Sequence, residues 1–547
     1  NIVPRADSEG GLGTASKYWA SAYIDTITTT GNVTVGGTIN GIPFYSDATD
    51  GSMYTHDVSG TDNSAEANSA YGFNAMDSIT TGDNNTAIGY RSGGALTSGS
   101  SNVLIGKDAG DSLTTGTSNV AVGVDALQNE DTGNNNIAIG RQALFTQNYD
   151  GDAYNIAIGY QAGFAVTTGT KNTLIGASAG DALVGGDNNT VLGYNAMGAA
   201  NGTESRNVAI GSNTLAAMDN NASNYNVAVG YEAGKAVTTG VQNTLIGGLA
   251  GDALTEGGNN VALGFEALST EDTGGRNIAI GYRALKFANY DGNAYNIAVG
   301  YDAGNAVTTG QLNTLIGGLA GYNLTTGHDN VAVGMQALEN EDEHGYNVAV
   351  GNEALQTLNA GANAYNVAVG FQAGHLMTTG TQSTIIGGLA GDALTTGGNS
   401  TLVGYAAGSA QTIASYNTAV GHAALAQNVA AQFNVAIGNN ALYAMTAATS
   451  TDTYNVAVGH NAGLSVSTGI KNTLIGGQAG DALTTGSYNV AVGSEALSTE
   501  DGHGANVAIG YRSLKALNAG ADAYNVAVGY VAGQLMTSGI RNTIIGS

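Results

Sequence analysis

Asn-Val-Ala-Val-Gly, at residues 226–230, is one copy of a motif that recurs along most of the chain. Twenty-seven copies close with a glycine between Gly89 and Gly546, and most of those glycines are evenly spaced, as are Gly230, Gly247, Gly264 and Gly281. Five of the intervals between them are two residues longer, and two more are irregular. A fixed period, here about 17 residues, is typical of stacked structural repeats. The sequence therefore predicts an all-β protein, a parallel β-solenoid (β-roll or β-helix) with coils of 17–19 residues.

Each part of the unit at residues 226–242 has a role in such a coil. Val227 and Val229 are β-branched, which favours an extended strand, and Gly230 permits a sharp bend after it. Thr-Thr-Gly at residues 238–240 is a turn sequence that leads to the next asparagine. One unit thus predicts one short strand and the turns that carry the chain to the next coil.

The strands are apolar at consecutive positions rather than at alternate ones, as Val-Ala-Val and Thr-Leu-Ile illustrate. A strand with one face inside its own coil and the other face in water should alternate. We therefore expect a partner to cover the outer face, most simply sister chains around a three-fold axis, which predicts a parallel homotrimer. The alternative is that alanine on the outer face is merely tolerated in water.

A superperiod of four units is superimposed on the repeat. The residue four positions after the closing glycine runs Gly, Gly, Leu, Leu, as in Gly234, Gly251, Leu268 and Leu285. Where this residue is glycine, an apolar residue such as Val237 usually follows three positions later, so we expect the buried side chain to come from either place. Every fourth unit is also two residues longer, and the block as a whole recurs at Gly159, Gly230, Gly300 and Gly370. The longer period is thus about 70 residues.

The asparagine that opens a unit is present in 25 of the 27 copies, and Ser383 and Ser400 replace it in the other two. Stacked side-chain amides hydrogen-bond to one another and to the turn backbone along a solenoid. We predict a structural ladder of these asparagines and of the closing glycines, which includes Asn226, Asn243, Asn260, Asn277, Asn296, Gly230, Gly247, Gly264, Gly281 and Gly300.

The composition disfavours several classes of protein. The 85 glycines are accompanied by only two prolines and show no three-residue period, unlike collagen. The net charge of −27 argues against nucleic acids and anionic membranes as partners, and no apolar run is long enough to span a membrane. The absence of cysteine excludes a disulfide framework and thiol chemistry.

The chain divides into three parts. Residues 1–45 form an N-terminal segment outside the repeat, residues 46–80 are a polar connecting segment, and residues 81–547 are predicted to form the solenoid of about 26 coils. The N-terminal segment carries Leu12-Gly13, Ser16-Lys17, Trp19 and Tyr23, followed by Thr29-Thr30-Gly31-Asn32-Val33-Thr34-Val35-Gly36-Gly37. This motif resembles the initial segment of bacteriophage tail-fibre proteins. The resemblance implies attachment to a virion baseplate or tail protein.

The repeat Asn-x-Ala-Ile/Val-Gly-x-x-Ala is similar to the head repeats of trimeric autotransporter adhesins, which form trimers of left-handed parallel β-rolls. It is closer to the Asn-Thr-Ala-Ile-Gly-Tyr repeats of phage tail fibres, many of which end in an intramolecular chaperone domain. The resemblance covers about residues 81–547, although the coils here are longer than those of the adhesin heads. It implies a homotrimeric tail-fibre shaft, located in the virion, that supports attachment to a host-surface receptor through a tip. Because the first residue is Asn1 and the chain stops one residue into a unit, at Ser547, we expect further sequence at both ends.

Other functions of a solenoid were weighed against the sequence. A bacterial surface adhesin or a self-assembling extracellular filament is the main alternative, and it would place the protein outside the cell or at its surface. Such an adhesin should show a coiled-coil stalk with heptads, and none is visible. Ice binding needs a continuous array of threonines, whereas the Thr-Thr pairs occur only in some coils.

Candidate chemistry is sparse, and the sequence predicts neither an enzyme nor a cofactor. The seven histidines lack metal-ligand spacing and are interpreted as surface residues. The acidic doublets at residues 130–131, 271–272, 341–343 and 500–501 are interpreted as solubilising surface groups rather than as a metal site. Nucleophile triads and catalytic clefts lack supporting context. The longer loops of the extended units are candidate contact loops, represented by Tyr149, Asp150, Tyr290 and Asp291.

Overall fold

The computed structural model describes residues 52–55, 63–446 and 450–547, together with the backbone of short strands between residues 38 and 47. The attachment motif around Trp19 lies outside the described residues. The described residues form strands, turns and bends, and they contain no helix and hence no helix able to cross a membrane.

The first strands lead into the solenoid. Strand β1 (Thr38–Ile39) pairs antiparallel with β2 (Ile42–Pro43), and β3 (Tyr45–Asp47) pairs antiparallel with β4 (Ser52–Tyr54). Strand β4 then runs parallel to the first strand of the solenoid, β5 (Ser69–Tyr71). The stack therefore begins inside the segment 46–80.

Twenty-eight strands of three residues form one parallel ladder, in which each strand pairs in register with the strands of the neighbouring coils. After β5 they are β6 (Thr86–Ile88), β7 (Val103–Ile105), β8 (Val120–Val122), β9 (Ile137–Ile139), β10 (Ile156–Ile158), β11 (Thr173–Ile175), β12 (Thr190–Leu192), β13 (Val208–Ile210), β14 (Val227–Val229), β15 (Thr244–Ile246), β16 (Val261–Leu263), β17 (Ile278–Ile280), β18 (Ile297–Val299), β19 (Thr314–Ile316), β20 (Val331–Val333), β21 (Val348–Val350), β22 (Val367–Val369), β23 (Thr384–Ile386), β24 (Thr401–Val403), β25 (Thr418–Val420), β27 (Val435–Ile437), β29 (Val456–Val458), β30 (Thr473–Ile475), β31 (Val490–Val492), β32 (Val507–Ile509), β33 (Val526–Val528) and β34 (Thr543–Ile545). Beside the ladder, β26 (Ala431–Gln432) pairs parallel with β28 (Thr451–Asp452).

This architecture confirms the predicted all-β parallel solenoid of 17–19-residue coils. Strands in a parallel ladder lie about 4.8 Å apart, so the whole stack is about 130 Å long.

The strands do alternate, because their central residue points into the coil and the residues on either side point outward. In β16, Ala262 is fully buried, Val261 is partly buried and Leu263 is 43% exposed. The alternative interpretation, that alanine lies on the outer face, is therefore wrong. The outward residues are the larger Val, Ile, Leu and Thr side chains.

Each coil is closed by corners in the left-handed backbone region. In the coil of β16 the closing Gly264 has φ +143°, and three other residues, Asn259, Glu266 and Leu268, have φ between 52° and 60°. This region is unfavourable for residues with a Cβ atom. Hydrogen bonds between coils hold the corners in place, for example from Leu268 N to Ala284 O at 3.0 Å.

The four-unit superperiod follows from packing inside the coil. The Leu245 side chain occupies the space beside Gly234 and Gly251, where an added Cβ would approach its methyl carbons to 2.7 and 2.9 Å. Both Val237 and Leu268 are fully buried, which confirms that the interior side chain comes from either of two positions. A glycine at the corner thus leaves room for a large strand side chain of the same or the next coil, as Leu245 shows, whereas Leu268 at the corner goes with Ala262 in the strand.

The opening asparagines form an internal ladder, in which Ser383 and Ser400 replace two members. Asn260 Oδ1 accepts the backbone N–H of Asn277 at 3.0 Å, and Asn260 Nδ2 donates to Gly274 O at 3.0 Å. Asn260 N in turn donates to Asn243 Oδ1 at 3.0 Å. The fully buried Asn260 amide therefore satisfies the backbone of its own coil and of the next one.

Candidate functional site

The outward side of the ladder is a long apolar surface, which we call the strand face. It consists of the first and third residues of the ladder strands β6 to β34. The third residue is Val, Ile or Leu in all 27 of these strands, and the first is Val, Ile or Thr. The surface is about 130 Å long and about 7 Å wide, on the order of 900 Å². Contiguous apolar patches larger than a few hundred Å² mark interaction sites.

Aromatic side chains line the edges of the strand face. They stand immediately before the opening asparagine or immediately after the closing glycine, as Tyr225 and Tyr231 do on either side of β14. Both of these tyrosines are more than half exposed. Some aromatic rings stack from coil to coil, with ring centroids 5.8 Å apart for Phe265 and Tyr282 and 5.3 Å apart for Tyr282 and Tyr301. Exposed aromatic groups with apolar surface between them are enriched at protein interfaces.

The charge of the protein is excluded from the strand face. None of its first and third strand positions in the described ladder holds a charged residue, although the chain carries a net charge of −27. Like charges would repel between copies of an acidic chain. The face itself therefore adds no charge repulsion when an acidic sister chain approaches it.

The glutamates of the acidic doublets lie inside the coil, so the prediction of solubilising surface groups is wrong for them. Glu271 is fully buried; its Oε1 accepts the N–H of Gly274 at 2.7 Å and its Oε2 accepts that of Tyr290 at 3.4 Å. Glu271 follows Gly264 by seven residues, and this is the interior position that Val237 occupies in its own coil. The other fully buried glutamates are Glu130, Glu204, Glu341 and Glu500.

Burial sets the titration of three of these glutamates. Loss of solvation raises the pKa of Glu130, Glu271 and Glu341 above the ordinary value of 4.5, and backbone N–H groups that donate to each carboxylate oppose the rise. Because the folded pKa exceeds that of the unfolded chain, the folded state binds the proton more tightly. The stability contributed by protonation is thus present below the unfolded pKa and is lost as the pH rises through the folded pKa.

We expect Glu271→Gln to remove this pH dependence at one corner. The unfolding free energy of the wild type, relative to the variant, should fall as the pH is raised from about 4.5 to 7.5. Urea titrations followed by far-ultraviolet circular dichroism measure that difference at each pH. The double variant Glu130→Gln/Glu271→Gln should show the same sign with a larger amplitude. A difference that is constant or rises with pH would contradict the assignment.

The candidate contact loops are hydrogen-bonded to the turns that contain the buried glutamates. Tyr149 N donates to Glu130 Oε2 at 3.3 Å, and Asp150 Oδ1 accepts a hydrogen bond from Thr132 Oγ1 at 2.9 Å. The same two contacts recur at Tyr290 N to Glu271 Oε2, 3.4 Å, and at Thr273 Oγ1 to Asp291 Oδ1, 3.1 Å. The two aspartates therefore hold the shape of their loops, and the tyrosine rings remain partly exposed.

Two histidines that the sequence interpretation placed on the surface lie against buried glutamates. His344 Nδ1 is 3.4 Å from Glu341 Oε1, and His503 Nδ1 is 3.4 Å from Glu500 Oε1. The signal was present in the sequence, because Glu-Asp-x-His stands twice where sister units have Glu-Asp-Thr-Gly.

A shallow groove of about 420 Å³ lies beside the strand face, in the coils between Tyr405 and Leu464. Its floor consists of small residues at positions where other coils carry larger ones, and its walls are aromatic. The main lining residues are Tyr405, Ala406, His422, Ala423, Ala426 and Tyr443. The lateral surface of the stack is therefore indented at these coils.

Comparison with known proteins adds no family assignment. No family model matches the chain, and no curated protein matches it significantly. The functional interpretation therefore rests on the strand face, on the corners and on the length of the stack.

Proposed function

We propose that the chain is the stiff shaft of a self-associating extracellular fibre, of the kind found in viral tail fibres. In this role the protein is mechanical rather than catalytic, and it holds a receptor-binding tip away from the particle. The single observation that carries the proposal is the uncharged, largely apolar strand face, which continues through 27 of the 28 coils of the stack. The resemblance of the repeats and of the N-terminal motif to phage tail fibres supports the same role.

Stiffness follows from the hydrogen bonding between coils. Bonds pass between coils at the strands, at the left-handed corners and through the asparagine ladder, as at Val261 N to Asn277 O, 2.9 Å, and Leu268 N to Ala284 O, 3.0 Å. Bending the rod would lengthen bonds on one side of every coil, and buried polar groups are costly to leave unpaired. A rod of this kind transmits force along its axis without a large globular core.

The size of the strand face fits association between copies. A surface on the order of 900 Å² per chain matches the roughly 800 Å² that each partner contributes to a stable protein interface. A three-fold axis parallel to the rod brings three such faces together and leaves the acidic surfaces outside. The aromatic residues along the edges would then close the contact against water.

We expect lysine substitutions on the strand face to separate the chains without unfolding the coils. In the variant Ile139→Lys/Leu263→Lys/Ile386→Lys, three exposed apolar side chains become charges that association would bury without partners. The oligomer mass measured by light scattering should fall to that of one chain, while the far-ultraviolet circular dichroism spectrum stays unchanged.

The matched control places three lysines on exposed turn positions of the same coils, as Asn148→Lys/Thr270→Lys/Thr396→Lys. This variant should keep the mass of the wild type. Dissociation of both variants would indicate a general charge effect, and retention of the oligomer by both would rule out the strand face as the contact.

A further inference from the structure

Two corners of the stack bring a histidine against a buried carboxylate and a neighbouring aspartate. In the first corner, one potential ligand atom from each of Glu341, Asp342 and His344 lies within 4.8 Å of the others. The corner at Glu500, Asp501 and His503 has the same composition and meets the same limit. The two corners are nine coils apart along the chain, or about 43 Å, so each is an independent site.

The turn itself does not need the histidine. Residues 130–133 and 271–274 form the equivalent corners with the sequence Glu-Asp-Thr-Gly, and there the glutamate accepts the glycine N–H at 2.7 Å. A Cβ added at Gly133 would approach the Glu130 carboxyl carbon to 2.5 Å. At the histidine corners the corresponding N–H to carboxylate distance is 3.2 Å. The histidine therefore loosens a hydrogen bond that the glycine corners make well.

The imidazole gains no hydrogen bond at Nδ1 in return. The Nδ1 atoms of His344 and His503 are shielded from solvent and make no well-formed hydrogen bond; each faces a carboxylate oxygen at 3.4 Å, with which it forms an ion pair only when the imidazole is protonated. Buried polar atoms without a partner are uncommon and call for an explanation. The same unpaired atom, in the same position and at the same distance, occurs in both corners, which indicates a shared purpose.

We propose that each histidine corner binds a zinc-type divalent metal ion through His344 Nδ1, Glu341 Oε1 and Asp342, and through the equivalent atoms of the second corner. Tetrahedral zinc with ligand bonds of about 2.0–2.1 Å places neighbouring ligand atoms about 3.4 Å apart, which is the separation of Nδ1 and Oε1 here. A set of one imidazole and two carboxylates suits zinc and related transition metals, whereas calcium and magnesium prefer oxygen ligands alone. A water molecule completes the four ligands.

Hydrogen bonds already orient the Glu341 carboxylate, as metal ligands require. Glu341 Oε1 accepts the N–H of His344 at 3.2 Å and its Oε2 accepts that of Ala360 at 3.3 Å, so the carboxylate is held in one orientation. Groups that orient a ligand in this way strengthen metal affinity. An ion bound here would fix the corner to the long loop of the following coil, and would therefore stabilise the rod at two points.

Zinc binding by the full chain tests the proposal. After treatment with a chelator, the wild type should bind two zinc ions per chain in a calorimetric titration, and calcium should not replace them. His344→Gly and His503→Gly should each remove one ion, with at least about a 100-fold loss of affinity at that corner. The double variant should bind none, and it should fold because glycine stands at this place in the sister corners.

A control and a second readout separate metal binding from loss of structure. His460→Ala, at an exposed histidine outside both clusters, should keep two ions. Zinc should raise the melting temperature of the wild type and of this control but not that of the double variant. Absence of binding to the wild type, or two ions retained by the double variant, would overturn the proposal.

Discussion

Gly264→Ala is expected to destabilise the stack by at least about 4 kcal/mol, more than most single substitutions in a folded protein. Gly264 has φ +143°, and an added Cβ would stand 2.3 Å from the carbonyl oxygen and 2.6 Å from the carbonyl carbon of Gly281. Both atoms belong to the backbone of the next coil, so no side chain can rotate away. Relief requires the coils to separate, which breaks the hydrogen bonds between β16 and β17.

The same substitution at Gly361 is the matched control. Gly361 also has a positive φ, +68°, but an added Cβ there meets nothing within 4 Å. Gly361→Ala should therefore cost only the left-handed backbone penalty, about 1–2 kcal/mol. Urea denaturation measures both losses, and limited proteolysis should cut only the Gly264 variant near residue 264. Equal losses of unfolding free energy in the two variants would show that close contact with the next coil is not the reason why this position requires glycine.

Asn260→Ala should be the second most damaging single change. The substitution leaves the Asn277 N–H and the Gly274 carbonyl without their partners inside the coil, where the asparagine side chain now satisfies both. Each unsatisfied buried group costs about 1–3 kcal/mol, so we expect a total loss of about 4 kcal/mol. The loss of unfolding free energy in urea is the measurement.

The two serines that replace asparagine in the ladder indicate which substitution should be less damaging. Ser383 Oγ faces Ser400 N at 3.4 Å, and Ser400 Oγ faces Asn417 N at 3.3 Å, so a serine still accepts the N–H of the next coil. Asn260→Ser should therefore cost distinctly less than Asn260→Ala. If both variants lose the same stability, the hydrogen bond to the next coil is not the source of the ladder's contribution.

The period of the closing glycines was sufficient to predict the solenoid because every coil needs a strand, a closing glycine and turns at the same positions. Gly264 shows why that position is glycine, since both its backbone angle and the adjacent coil exclude a side chain. The replacement of Gly234 by Leu268 at the same position two coils later was visible as a pattern. The reason for this replacement was not visible. Leu268 also adopts a left-handed backbone conformation, with φ +55°, and this conformation is held by hydrogen bonds to the next coil, which the sequence of one unit does not show.

The burial of Glu271 was missed because its neighbours in the sequence are polar. Charged doublets in a turn are ordinarily solvated, and local composition favours that interpretation. The decisive comparison is between coils, because Glu271 stands seven residues after Gly264 just as Leu254 stands seven residues after Gly247. The direction of the strand residues was misjudged for a related reason, since alanine fits the narrow interior and the larger residues of each strand lie outside.

The candidate sites, too, were predictable only where the sequence pattern alone determines which side chains are buried. The strand face could be anticipated from the run of apolar residues, although the central residue of each run proved to be internal. The histidine corners could not be anticipated from ligand spacing within one segment, because burial of the glutamate is what brings His344 and Glu341 together. Alignment of the four acidic doublets would have isolated the two histidines.

Association through the strand face is the central claim, and the mass and shape of the full chain in solution test it most directly. Sedimentation with light scattering should give a mass three times the 54.5 kDa of one chain. Small-angle scattering of the same sample should show a rod at least about 130 Å long. A particle of 54.5 kDa at micromolar concentration, with its aliphatic face in water, would contradict the account.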